Sequence, residues 1–211
     1  MVATLPQLAV DESKISNGAQ EAIEQGIPYR IEVELIGTAP LLFHAWNIES
    51  IAEKASAAKG SKAKKTDNLE SYVYRTPDGH LGIPGQNLAA AIQMAGKFMQ
   101  DPRSPRKSAF DLCKAGVIPL SPIAPFLPET KDWDFEHACR VTIQRAGVTR
   151  VRPAMREGWK ATFDLLITVP EYLTIETMAS LIGQAGRLVG LCDFRPTYGR
   201  FAITHLQAYP E

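Results

Sequence analysis

The stretch CDFRPTYGRFAI, residues 192–203, sets Arg195, Tyr198 and Arg200 around a single glycine, Gly199. Those residue types suit one kind of chemistry. A guanidinium offers a planar fork to a phosphate and can stack on a base. A tyrosine ring gives a base a flat face. Gly199 can adopt positive φ and has no side chain to hold a ligand away from the backbone. The trio therefore reads as a place where a phosphodiester strand is gripped. The other reading is structural: Arg195-Pro196 opens a turn, Tyr198 covers the core, and Arg200 pairs with Asp193 or Glu176.

Three further basic clusters fall at breaks between elements. Lys54, Lys59, Lys62, Lys64 and Lys65 occur with no acid among them. Lys97–Lys107 forms a second cluster. From Arg140 to Lys160 there are six basic residues and one acid, among them Arg150, Arg152 and Arg156. Trp46, Phe98, Trp159 and Phe194 lie close in sequence to one or another cluster, and basic loops interleaved with rings are what single-strand binding uses. The opposing reading is a set of solvated charges, since 23 Lys and Arg balance 23 Asp and Glu. That balance argues against a strong nonspecific DNA binder. It is compatible with a subunit whose acidic segments, 11–24 or 129–136, meet the basic patch of a neighbour.

Catalysis finds less support. His44, His80, His137 and His205 make no metal pair at helical spacing and have no glycine-flanked serine partner. No phosphate loop of the GxxxxGK type is present. His44, just after the first strand, is the candidate general acid or base for an RNA 2′-hydroxyl; otherwise it packs beside Phe43 and Trp46. His80 reads as solvated at a hairpin tip, and His205 as a strand-face residue. Cys113, Cys139 and Cys192 have neither metal nor disulfide spacing and read as buried small residues in a reducing compartment. No cofactor or metal is implied. No apolar run reaches a membrane span, and the start does not look like a signal peptide, so the expected location is cytoplasmic.

The elements that must position these residues follow from periodicity. Residues 1–27 form an acidic arm of net charge −3, with a short helix expected around 18–25. The stretch YRIEVELIG alternates as a half-buried strand. Residues 47–70 read as a long lysine-rich excursion, disordered in the free chain. SYVYRTPDGHLGIPG reads as a hairpin turning at Asp78-Gly79. QNLAAAIQMAGKFMQ is a helix, DPRSPRK a basic loop and SAFDLCKAG a short helix. Four prolines between Pro119 and Pro128 allow only an edge strand. ACRVTIQ and WKATFDLLIT alternate as strands flanking a basic excursion. TIETMASLIGQAGRLVG is a helix capped by Thr174, and RFAITHLQAYP closes the chain as a strand. The order predicts an α+β fold, with a ferredoxin-like or RRM-like core carrying long insertions, in one domain over 28–211.

IEVELIGTAPLLF at the first strand, LGIPGQNLAAAI entering a helix, and RPTYGRF near the end together resemble the RAMP superfamily, the repeat-associated proteins of CRISPR systems. The set is also similar to phage-encoded proteins. The resemblance implies a ferredoxin-like core and a backbone subunit that polymerises along a guide RNA. The leading expectation is a non-enzymatic RNA- or ssDNA-binding subunit, assembling with copies of itself or with related subunits and without a membrane. Two alternatives stay open. One is a metal-independent endoribonuclease using His44. The other is a phage structural or assembly protein that binds only protein.

Overall fold

The computed structural model describes residues 21, 23–45, 68–143 and 146–211, and side chains at all of these except 141–143 and 146–148. The five clustered lysines, most of the N-terminal arm and Trp46 lie outside the described residues. At the end of the arm, Gln25 and Gly26 donate their N–H groups to Glu21 and Ile23 at 3.0 Å, and Gly26 closes this helical turn at φ 69°. Positive φ costs glycine nothing and ends a helix.

Strand β1 (Tyr29–Gly37) buries Tyr29, Ile31, Val33 and Leu35 fully and leaves Arg30, Glu32 and Glu34 on the other face. It exits into β2 (Leu41–Leu42). After a 3-10 turn at Leu69–Tyr72 come β3 (Gly82–Pro84) and helix α1 (Gly85–Ala95). A small hairpin of β4 (Gln100–Asp101) and β5 (Ser104–Ser108) leads to α2 (Phe110–Gly116). Then follow β6 (Val117–Pro119), β7 (Ile123–Pro125), and the long hairpin of β8 (Phe135–Ile143) and β9 (Ala146–Met155). β10 (Lys160–Ile167), α3 (Ile175–Leu188) and β11 (Phe201–Pro210) end the chain.

Four strands form an antiparallel sheet in the order β11-β1-β10-β6. With the intervening pieces set aside, the chain runs strand, helix, strand, strand, helix, strand in spatial order 4-1-3-2. That is the ferredoxin-like core in an α+β fold. The helices cover one face through Leu88, Ala91, Ile92 and Ala95 of α1 and Ile175, Met178, Leu181, Ile182 and Ala185 of α3, all buried. The Thr174 hydroxyl accepts the Thr177 N–H at 3.3 Å, the expected N-cap. The long insertion between β6 and β10 carries the β8–β9 hairpin. β2 pairs with β9 and ties that hairpin to the exit of β1. No helix among the described residues is long and apolar enough to cross a membrane.

Four local expectations change. Asp78-Gly79 does turn the chain, but the hairpin shrinks to one bridge, Arg75–Leu81. Gly82–Pro84 pairs with Ile123–Pro125 instead, and Gly82 permits this approach, since a side chain there would collide with the Ala124 carbonyl. His80 is not merely solvated: its Nδ1 stands 3.1 Å from Glu129. The basic loop at 101–107 is the β4–β5 hairpin, closed by Asp101, whose carboxylate accepts from the Arg103 N–H and Nε at 2.9 Å and Nη2 at 2.7 Å. Of the cysteines only Cys113 is buried outright.

The Arg103 side chain and N–H hold the Asp101 carboxyl down at about 2, below its ordinary 3.8. A depressed carboxylate contributes stability that is present above its unfolded value and is lost as pH falls through the folded one. Asp101→Asn is therefore expected to lower the urea midpoint at neutral pH. The gap to the parent protein should close as pH falls from about 4 to about 2. A gap independent of pH would show that the carboxylate charge is not what closes the hairpin.

Candidate nucleic-acid interface

The segment after α3 is laid over the exit of β1 by main-chain hydrogen bonds. Asp193 donates its N–H to the Leu42 carbonyl at 2.9 Å, Gly199 to Pro40 at 2.8 Å, and Thr38 to Arg200 at 2.9 Å. Leu191 donates to the Gly199 carbonyl at 2.9 Å, closing the loop on itself. Gly199 has φ 71°, and a Cβ there would collide with the Leu191 backbone. Its glycine character thus serves this close packing, and its N–H is spent on Pro40 rather than open to a phosphate. Cys192 and Phe194 hold φ of 60° and 53°, a region that costs a non-glycine residue about 1 kcal/mol or more. The loop is therefore forced into shape by its anchors.

Asp193 is the centre of the cluster beneath the loop. Arg152, only 5% exposed, donates Nε to Asp193 Oδ2 at 2.9 Å and Nη1 to the Val151 carbonyl at 3.1 Å. Its guanidinium lies 4.7 Å from the Tyr72 ring centre. His44 Nδ1 stands 3.5 Å from the same Asp193 oxygen, with its ring edge-on to Tyr72 at 5.1 Å. Asp193 Oδ1 accepts the Phe194 N–H at 3.0 Å. His137, opposite Arg152 in the hairpin register, lies 3.2 Å from the Tyr198 hydroxyl. Burial pushes the Tyr74 hydroxyl above its ordinary value and the nearby Cys192 and Asp193 add to this, against a hydrogen bond with Asn87. Burial of its sulfur also raises the Cys192 thiol to about 12, with Asp193 adding to the rise and Arg195 opposing it.

The structure brings Arg152, Asp193, Tyr198 and their neighbours together and leaves Arg195 and Arg200 exposed on the loop. Arg200 pairs with neither Asp193 nor Glu176; Arg152 takes Asp193. Arg150 and Arg152 lie on strand β9 of the β8–β9 hairpin. Arg152, however, is turned inward and used by the fold, while Arg150 is half-exposed on the same face. Arg156 follows the hairpin, exposed, with its guanidinium 5.4 Å from the Phe135 ring centre. Trp159 is core rather than a stacking platform: it is 5% exposed and donates Nε1 to the Ala39 carbonyl at 3.0 Å. His205 lies on β11 opposite Glu34. The sequence reading missed Tyr72, Tyr74, His137 and the central role of Asp193. Only the parity of His137 with Cys139 on a strand hinted at its direction. Among the described residues no three His, Cys, Asp or Glu side chains converge on a metal position.

No protein-family model and no curated protein matches the sequence. Solved structures do match in fold. One is a chain of the cryo-EM structure of type III-B Cmr-beta bound to cognate target RNA, at TM-score 0.51 and 8% identity, covering 90% of this chain and 63% of that one. Another is the crystal structure of Cmr6 from Pyrococcus furiosus, at TM-score 0.45 and 8% identity, covering 84% of this chain and 98% of that one. This chain thus spans 63% of the length of the Cmr-beta chain. At 8% identity the likeness is one of fold.

Asp193→Ala strands the Arg152 guanidinium in a buried place, which is expected to cost about 3 kcal/mol of stability. Replacing both partners, Arg152→Met with Asp193→Leu, should cost less than Asp193→Ala alone. Urea unfolding of the single and double variants checks this. Additive losses would show that the two side chains do not support each other.

Proposed function

We propose that this chain is a non-enzymatic subunit that binds single-stranded RNA or DNA and assembles with copies of itself or with related subunits along the strand, in the cytoplasm. The observation that carries the reading is the pair of exposed guanidiniums, Arg195 and Arg200, on a loop whose backbone is pinned to the exit of β1. A loop held this way presents its cations without losing order on binding. Tyr198 stands between them in sequence, and Arg150 extends the basic surface along the hairpin. The shared fold with a chain from a Cmr-beta complex bound to target RNA supports the same reading. Lys54, Lys59, Lys62, Lys64 and Lys65 belong to the proposal by composition, as added phosphate contacts.

A second reading rests on His44, whose side chain is 44% exposed with Nδ1 at 3.5 Å from Asp193. A carboxylate can orient a histidine for proton transfer. Here the carboxylate oxygen is held more closely by Arg152, at 2.9 Å, which favours a structural role for Asp193. Metal-independent RNA cleavage that is lost in His44→Ala would establish the endoribonuclease.

Binding to a labelled single-stranded RNA, titrated at several salt concentrations, tests the leading reading. Each lost phosphate contact lowers the log–log salt slope by about 0.7 for a single strand. Arg195→Ala with Arg200→Ala is therefore expected to reduce the slope by about 1.4 and weaken binding at low salt. If the folded double variant keeps the parent's affinity and slope, the loop is not the contact. A parent protein that binds neither RNA nor DNA, and purifies free of nucleic acid, would point to a partner that is protein alone.

A further inference from the structure

We infer that the far end of α1 carries a second contact for the same single strand, built from Lys97, Phe98 and Lys107. This rests on the strand-binding reading and adds a site to it. α1 begins beside the first site, where Asn87 hydrogen-bonds Tyr74 near Cys192 and Asp193. Its 11 residues carry the chain about 16 Å before the 3-10 turn Gly96–Phe98. That separation lies within a strand of several nucleotides, the usual footprint of such proteins at about 4–16.

The β4–β5 hairpin brings the residues together on a firm base. Gln100 pairs with Ser108, and Ala109 donates its N–H to the Met99 carbonyl at 2.9 Å. Lys97 is thereby set beside Lys107 and Phe110. Lys97, Lys107, Ser108, Phe110 and Asp111 line an open hollow of about 400 Å³. The Lys97 ammonium sits 5.0 Å from the centre of the Phe110 ring, which holds it at the rim. Asp111 is the one acid in the lining, and Lys97 and Lys107 outweigh it. The neighbouring Asp101 is already taken by Arg103. Arg106 stands exposed on the same hairpin.

Next to Lys97 in the 3-10 turn, Phe98 is 67% exposed. A phenylalanine so open gains little from burial, but its flat face suits a base while the adjacent ammoniums suit the flanking phosphates. Cations around an exposed ring fit a nucleic-acid strand better than an apolar protein surface, which would leave the charges unmatched.

Binding of a labelled polyuridine RNA of about 12 nucleotides tests the site. Lys97→Ala with Lys107→Ala is expected to lower the log–log salt slope by about 1.4. Phe98→Ala should weaken binding roughly 5- to 150-fold, and Phe98→Tyr should restore it. If these variants fold and bind like the parent while Arg195→Ala with Arg200→Ala weakens binding, the second contact is overturned and the first stands. If the parent does not bind the strand at all, both are overturned. Unchanged strand binding together with lost association with an acidic partner protein would make the patch a protein contact and overturn the inference.

Discussion

The Arg152 guanidinium is nearly closed off from solvent, and a buried charge is sustained only by a partner in good geometry. Asp193 supplies it across 41 residues of sequence. The pair joins two parts of the chain that the ferredoxin-like topology does not itself connect. Arg152 comes from the hairpin inserted between β6 and β10, and Asp193 from the loop between α3 and β11. The ion pair adds a buried side-chain tie to the main-chain ones that hold both parts at the exit of β1, and the guanidinium lies 4.7 Å from the centre of the Tyr72 ring.

Much else in the region is arranged around that contact. Asp193 reaches Arg152 because its own N–H is fixed to Leu42, and because the left-handed residues on either side of it bend the chain sharply. His44 shares the carboxylate from the segment that leaves β1, so three separate stretches of chain converge on one acid. His137 and Tyr198 repeat the arrangement one step away, again joining hairpin to loop. A shared acid of this kind supports position more than proton transfer.

Elements with a clear period were legible in the residues. The alternation of β1 and β10 and the apolar stripe of α3 appear where expected, because each needs only its own neighbours to declare a buried face. The ferredoxin-like class was legible from the order of strands and helices along the chain, without the order of strands in the sheet. Pairing between distant segments was not. Nothing local says that Gly82–Pro84 joins Ile123–Pro125 rather than folding back on residues 72–75. The same limit applied to the site. Arg195, Tyr198 and Arg200 drew attention through their types, but burial of Arg152 depends on where the loop comes to rest. Gly199 shows the point most sharply: a glycine suited to a ligand and a glycine suited to a crowded backbone look identical in one dimension.

The loop's anchorage to β1 is made by main-chain atoms of Thr38, Pro40 and Leu42, with Gly199 and Leu191 completing it. Hydrogen bonds between backbones do not depend on which side chains are attached, provided that the glycine remains. The outward side chains of the loop at 195, 197 and 200 are therefore almost free of the duty of holding it in place. Descent can rewrite them at little cost to the scaffold. A lineage built on this plan would diverge fastest in what it recognises and slowest in how it displays it, and its members would come to share a shape long after they had ceased to share a text.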